Sequence, residues 1–301
     1  MEQSRARQLG ILAVVLSALG FSAKAILVKL AYRHGVDAIT LLMLRMAIAM
    51  VFFLALLVWP GVERRWPTRR QWLALGGLSL LGYYLASYLD FLGLEYITAS
   101  LERLILFLYP TLTVLFSAIR QRQWPRRLTL IAMLVSYLGM ALVFLDDLGT
   151  PQTNLWLGSL LVMGSATAYA LYLTGSAECI RALGSQRFTG WAMSLSCVTT
   201  LLHYSLQRPW SNLPGLPTEV LVYAGIMALF STVLPAILLA YGMARIGAAQ
   251  SALVGTLGPV FTLILGYFVL QESLSPLQLL GAALILLGVW FTAQKPTAAT
   301  R

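Results

Sequence analysis

Five charged residues stand inside long apolar runs of this chain: Lys24, Arg45, Asp90, Glu102 and Arg103. Three cations and two carboxylates can neutralise one another, hold the two ends of a zwitterion, or pass a proton between alternative partners. Each such charge costs roughly 2.5–3.5 kcal/mol at the centre of a membrane helix, and less nearer the interface. Five of them facing lipid at one depth is untenable, so the helices must turn them toward a protein interior. Polar and aromatic residues recur beside them at helical spacing. Tyr83, Ser87 and Asp90 follow i, i+4, i+7, with Tyr84 and Tyr88 adjoining; Ser165, Tyr169, Tyr172 and Ser176 do the same, as do Ser17, Phe21 and Lys24. Residues so spaced share one helix face. Buried tyrosine hydroxyls need partners, so these faces read as cavity walls, whereas the serines alone fit close helix packing equally well.

The elements that must carry these residues are membrane helices. Of 301 residues, 59% are hydrophobic and 11% charged, with a mean hydropathy of +0.79; a soluble domain carries roughly 25% charged residues. Ten apolar segments are expected, at 9–30, 39–59, 72–96, 98–119, 128–145, 155–178, 188–207, 219–241, 246–270 and 275–294. Each matches the roughly 20 residues that a bilayer span needs. Pro, Gly and charge mark the breaks, as in WPGVERRWPTRR, RQRQWPRR and QRPWSNLPGLP. Trp66, Trp72, Trp124, Trp156 and Trp210 fall at span ends and read as interface anchors. The net charge of +10 comes from arginines in short loops, which are orientation signals rather than a nucleic-acid footprint. With the N-terminus cytoplasmic, the inner segments hold fifteen basic residues, among them Arg64, Arg65, Arg69, Arg70, Arg120, Arg122, Arg126 and Arg127. The outer loops hold only Arg33 and Arg208, with Lys29 at a helix end. Both termini are therefore expected inside. On that layout the five buried charges form one layer, about 6–9 Å below the outer edge of the hydrocarbon core at 1.5 Å rise per residue.

The chain also matches itself. Moving ITASLERLILFLYPTLTVLF at 97–116 onto IGAAQSALVGTLGPVFTLIL at 246–265 aligns Ile97, Ala99, Leu104, Pro110 and Thr113 with Ile246, Ala248, Leu253, Pro259 and Thr262. The same shift aligns Gly93 with Gly242 and Gly139 with Gly288. Self-similarity at one spacing implies two copies of one unit, here 1–147 and 148–301. Five spans per unit is an odd number, so the second copy sits inverted in the membrane. Pro110 and Pro259 interrupt matching helices, with Thr256 nearby. In a bilayer such interruptions are tolerated where neighbouring groups or a hydrated cavity satisfy the backbone. Matched interruptions in two repeats are a pointer to a transporter binding site.

The run TASLERLILFLYPTLTVLF, with its echo GAAQSALVGTLGPVFTLILGYFVLQESLSPLQLLGAALILLG, resembles the EamA-type drug/metabolite transporter superfamily. The resemblance covers almost the whole chain. It implies an inner-membrane permease, often an exporter, whose spans one, three, four, six, eight and nine surround a central cavity. It leaves the substrate open, since members of that superfamily move amino acids, cysteine-pathway metabolites, nucleotide-linked sugars or toxic cations.

The expectation is thus an all-α integral membrane protein of ten helices, two inverted five-helix repeats around a central cavity, exporting small amphipathic metabolites such as amino acids or their derivatives. Lys24, Tyr83, Ser87, Asp90, Glu102, Arg103, Phe107, Tyr169 and Tyr172 are the candidate substrate-binding residues. Lys24 or Arg103 would meet a carboxylate, and Asp90 or Glu102 an amine. Arg45 is assigned to a gate or ion network; Pro110, Pro259 and Thr256 to the helix breaks at the cavity. The same layer can instead be a structural network that closes the outer face, and Asp90 or Glu102 can carry a coupling proton. The partners expected are a small-molecule substrate and the bilayer, with a proton or exchange substrate, and no nucleic acid or cofactor. An exporter of lipophilic cations is the alternative within transport. An intramembrane enzyme would need a nucleophile with its base, or metal ligands. No Gly-rich phosphate loop, HExxH, paired cysteines or GxSxG is present, and Cys179, Cys197 and His203 read as packing residues.

Overall fold

The computed structural model describes residues 2–59, 66–122, 127–147, 154–271 and 274–293. Thirteen α-helices follow one another along them: α1 (Glu2–Tyr32), α2 (Ala38–Val58), α3 (Arg69–Ser79), α4 (Ala86–Leu94), α5 (Ala99–Leu106), α6 (Tyr109–Gln121), α7 (Arg127–Asp147), α8 (Leu155–Leu183), α9 (Ser185–Gln207), α10 (Thr218–Ala228), α11 (Leu234–Val254), α12 (Gly258–Leu265) and α13 (Pro276–Ala293). Six continuous helical stretches are long and apolar enough to cross a membrane: Arg5–Tyr32, Ala38–Val58, Arg69–Leu94, Ala99–Gln121, Leu155–Leu183 and Thr218–Ala248. Phe261–Leu270 and Pro276–Gly288 are shorter apolar helices. The polarity is inverted relative to a soluble protein. Leu134, Leu160, Leu202, Phe230 and Phe268 are each more than half exposed, while all five charges of the layer are buried. Apolar skin over a charged interior suits a hydrocarbon solvent.

Helix starts follow from local chemistry. Thr68 and Gln71 form a reciprocal capping box at α3, with the Gln71 side chain accepting from the Thr68 N–H at 2.8 Å. Thr98 caps α5 by accepting from Leu101 N at 3.1 Å, and Asn154 caps α8 by accepting from Leu157 N at 3.2 Å. The side chain of Glu95 reaches across from the end of α4 and accepts from Ala38 N, the first residue of α2, at 2.9 Å.

Backbone irregularities recur at one spacing. A π-helical turn joins α3 to α4 at Leu80–Leu85, and another joins α10 to α11 at Leu229–Val233, 149 residues later. Left-handed backbone occurs at Gly35 and Gly184 in the joints between α1 and α2 and between α8 and α9, again 149 apart. Among the described residues the two non-glycine positions with positive φ are Arg122 and Gln271, separated by the same distance. The extended Thr98 that opens α5 corresponds to Gly247, whose φ of 78° and ψ of 165° break α11.

Packing repeats likewise. α1 lies against α11, and α8 against α4; α2 packs on α9, and α7 on α13. Ser17 on α1 donates to Pro235 O at 2.8 Å, and Ser165 on α8 donates to Ala86 O at 2.7 Å. Gly242 lets α11 close on Val14 and on the Gly10 carbonyl, and Gly93 lets α4 close on Val162 and the Gly158 carbonyl. Small residues at such crossings allow backbone contact that packing in lipid favours.

Pro110 stands at a helix interruption, as expected, but in the first turn after the break. A proline inside a continuous helix would bend it. Here α5 ends at Leu106 and α6 begins at Tyr109, so Pro110 stands in the first turn of a new helix. The missing N–H is then no loss, because the first turn has no intrahelical acceptor for it. The backbone at Pro259 does the same, behind the 3₁₀ turn Gly255–Leu257 and at the start of α12. The side chains of Thr256 and Pro259 lie outside the described residues.

Candidate functional site

The broken and bulged helices converge on one cavity, which encloses about 900 Å³ of space free of atoms, open solvent included. α1 contributes Ser17, Phe21 and Lys24 from one face, as their spacing predicts. α2 adds Arg45. The π turn before α4 and α4 itself add Tyr83, Ser87 and Asp90; α5 adds Arg103, and the α5–α6 break places Phe107 and Tyr109 at the wall. Ser165 and Tyr169 enter from α8, and Ser231, Thr232 and Ser251 from the segments around α10 and α11. A π bulge inserts an extra residue into a helical turn and redirects side chains, and such bulges are common at functional sites. The π turns at Leu80–Leu85 and Leu229–Val233 bring residues to this cavity, and a third at Gly266–Leu270 does not.

The charged layer is resolved into partners. Lys24 Nζ lies 2.5 Å from Asp90 Oδ2 and 3.8 Å from Glu102 Oε1. Lys24 therefore sits between the two carboxylates and offsets the repulsion between them. Asp90 Oδ1 and both Glu102 oxygens have no hydrogen-bond partner, so the lysine holds them chiefly as a charge. The arginines are arranged differently. Arg103 Nη2 donates to the Phe21 carbonyl at 2.5 Å, leaving its Nε without a partner. The Arg45 guanidinium lies 4.7 Å over the Phe91 ring, with Nε and Nη2 unpartnered at 2% residue exposure. Neither arginine has a carboxylate within ion-pair distance among the described residues.

Aromatic rings make up another part of the wall and its backing. Tyr109 meets Tyr169 edge-on at 5.1 Å, and Tyr83 meets Tyr172 edge-on at 5.2 Å. Tyr169 stacks on Tyr172 at 5.9 Å. Edge-to-face pairs at this spacing contribute beyond their area burial, so the wall is stiff.

Eight of the thirteen residues assigned to binding, gate or helix break therefore line the cavity, Lys24, Arg45, Tyr83, Ser87, Asp90, Arg103, Phe107 and Tyr169, together with Ser17, Phe21 and Ser165 from the shared faces. Glu102 and Tyr172 stand behind it. Glu102 is fully buried and reaches the site through Lys24 and through the Asp90 carboxylate beside it, while Tyr172 is buried against Tyr83, Tyr169 and Phe188. Pro110 is buried at the helix break and is not a lining residue. Ser231 and Thr232 escaped the sequence reading because nothing in Leu229–Val233 marks a π turn; the one available signal was that Leu229 lies 149 residues beyond Leu80. Ser251 stands 149 residues beyond Glu102 and is its uncharged counterpart. His203 pairs with Tyr84 Oη at 3.0 Å, away from the cavity lining. Cys179 and Cys197 are free thiols.

An all-helical membrane protein whose helix breaks meet at a polar, aromatic chamber belongs to the class that passes small molecules across bilayers. The chain belongs to the EamA-like transporter family, whose model matches it twice, at residues 8–145 and 156–294. It is 28% identical over 301 aligned positions to a Bacillus subtilis protein named "Uncharacterized transporter YcbK", covering 96% of this chain and 94% of that one. It is 25% identical to the S-adenosylmethionine/S-adenosylhomocysteine transporter of Chlamydia muridarum, covering 81% of this chain and 79% of that one. A solved crystal structure shares the fold, with a TM-score of 0.69 at 19% identity over 96% of this chain and 97% of its own.

Proposed function

We propose that this protein is a secondary transporter that moves small amphipathic metabolites, amino acids or their derivatives, outward across a bacterial inner membrane by alternating access. In this reading ten spans form two inverted repeats, 1–147 and 148–301, with both termini cytoplasmic. The observation that carries the reading is the chamber itself. It lies where α1 and α11 meet α4 and α8, and those two contacts repeat each other down to Ser17 with Pro235 and Ser165 with Ala86. Two equivalent seams flanking one cavity are what a rocking mechanism needs, since one can open as the other closes. The recurrence at one spacing of the left-handed joints at Gly35 and Gly184 and of the π turns at Leu80–Leu85 and Leu229–Val233 supports the two-repeat architecture.

Amino-acid derivatives are favoured by the combination of charged layer and tyrosine wall. The Chlamydia relative is named for S-adenosylmethionine and S-adenosylhomocysteine, which are themselves amino-acid derivatives. The lipophilic-cation alternative needs a carboxylate free to meet the substrate, and Lys24 already faces both Asp90 and Glu102. A coupling proton or an exchanged solute would then supply the driving force, with the Asp90–Lys24–Glu102 cluster the place where a proton could be stored. The test is counterflow of radiolabelled amino acids and amino-acid derivatives in proteoliposomes, with organic cations as the opposing set. Saturable accumulation of the first set alone supports the reading. Accumulation of cations alone refutes the substrate class, and an absence of flux for every solute refutes transport.

A further inference from the structure

The three cations of the buried layer are not equivalent. Lys24 is flanked by both carboxylates, so the cluster Lys24–Asp90–Glu102 contains one positive charge against two negative ones. Arg45 and Arg103 complete the layer with two further positive charges and make no ion pair with any described residue. With all five groups ionised, the layer carries one positive charge in excess. A guanidinium cannot shed that charge by losing its proton, and an uncompensated buried charge costs several kcal/mol. Phe91 offers Arg45 only a ring face, and Phe21 offers Arg103 one carbonyl. Arg45 keeps Nε and Nη2, and Arg103 keeps Nε, without acceptors, although both residues line the cavity. On the wall formed by the second half of the chain, the Ser231 and Ser251 hydroxyls are also buried without partners. The cavity thus presents unmet donors and one unmet positive charge, while its carboxylates are already screened by a lysine.

We infer that this cavity selects organic monoanions, a carboxylate or similar oxyanion on an aromatic or apolar body, and that Arg45 with Arg103, rather than Lys24, receives the anionic group. This rests on the transport reading above and narrows it, from amino acids in general to derivatives whose amine is masked. A planar guanidinium matches a carboxylate through two parallel N–H donors, which a lysine cannot reproduce. The tyrosine pair Tyr109–Tyr169 then faces the apolar body, and the two serine hydroxyls remain for a second polar group.

The experiment compares three ligands that share one phenyl ring and differ in charge at neutral pH: N-acetylphenylalanine, phenylalanine and phenethylamine. Binding to the full-length protein in nanodiscs is read by calorimetry and by the ligand-induced rise in melting temperature. N-acetylphenylalanine should bind on the order of tenfold or more tighter than phenylalanine, and phenethylamine should not bind. Arg45→Gln should weaken the monoanion on the order of tenfold, Arg45→Lys should recover part of that, and Arg103→Gln should weaken it in its own right. Equal or tighter binding of phenylalanine or phenethylamine overturns the inference, as does binding of none of the three. The comparison on the unsubstituted protein stands even if an arginine variant fails to fold. Counterflow separates this inference from the one beneath it. Monoanion binding without flux breaks the transport reading alone, flux confined to zwitterionic amino acids breaks the anion reading alone, and flux confined to cations breaks both the anion reading and the amino-acid substrate class.

Discussion

Lys24, Arg45, Asp90, Glu102 and Arg103 all come from the first half of the chain, and the residues at corresponding places in the second half are Tyr172, Ser194, Leu239, Ser251 and Ala252. The backbone that carries the two sets is nevertheless alike. Both halves place a π turn, a left-handed joint, a broken helix and a close glycine crossing at the same intervals. The difference teaches that the scaffold and the chemistry are separable. Helix breaks and crossings are needed on both sides of the cavity, because both seams must form. The buried charges of the cavity come from one side only.

That comparison can be broken at several points, and the largest effects should lie where the halves differ. Lys24→Met leaves Asp90 and Glu102 buried together with no lysine beside them, so the melting temperature should fall by the equivalent of about 3–5 kcal/mol. Adding Asp90→Asn should restore part of it. A double variant no more stable than the single one would mean that the lysine acts by packing alone. Next is Gly82, which corresponds to Ser231. An alanine methyl at Gly82 would overlap the Tyr172 ring, so Gly82→Ala should cost about 1–3 kcal/mol, while Gly225→Ala, with open space around it, should not destabilise. Equal melting temperatures for these two variants would contradict the described packing of Tyr172.

The remaining tests bear on what the halves share. Gly93→Ala and Gly242→Ala press methyl groups onto Val162 and Val14 at equivalent crossings, and should lower stability by similar amounts, about 1–3 kcal/mol each. Ser17→Ala and Ser165→Ala each remove one buried hydrogen bond, to Pro235 and to Ala86, and should each cost about 0.5–1.5 kcal/mol. A large inequality within either pair, read by thermal melts in one detergent, would show that the two seams are not mechanically equivalent. The smallest change expected is at Gln271, whose φ of 60° is a left-handed conformation that glycine adopts without strain. Gln271→Gly should leave the melting temperature unchanged or raise it slightly, and Arg122→Gly should behave alike. A clear loss at Gln271 would show that its amide's hydrogen bond to the Phe268 carbonyl, at 3.0 Å, outweighs the backbone strain, and a clear loss at Arg122 would assign that side chain a contact of its own.

Much of the site was legible because its signals are local. Ser17, Phe21 and Lys24 share a face by spacing alone, and that face does line the cavity. Buried charge in an apolar run announces a protein interior whatever the fold. Tyr172 was misleading for the same reason. It shares a face with Ser165 and Tyr169, yet lies one turn further along, where Gly82 lets the neighbouring helix close over it. Ser231 and Thr232 were hidden because a π turn leaves no proline or glycine to mark it.

From its residues alone the chain is committed to a membrane, to internal duplication at one spacing, and to a protein-lined refuge for five charges. These follow from hydropathy, self-similarity and the cost of charge in hydrocarbon, which need no knowledge of neighbours. Only the tertiary structure decides that Lys24 stands between Asp90 and Glu102 while Arg45 and Arg103 keep donors unmet. Spacing along a helix sets a side chain's depth and its face. Which partner it meets depends on the rotation and approach of helices tens of residues away, and a 2.5 Å contact is decided by that packing.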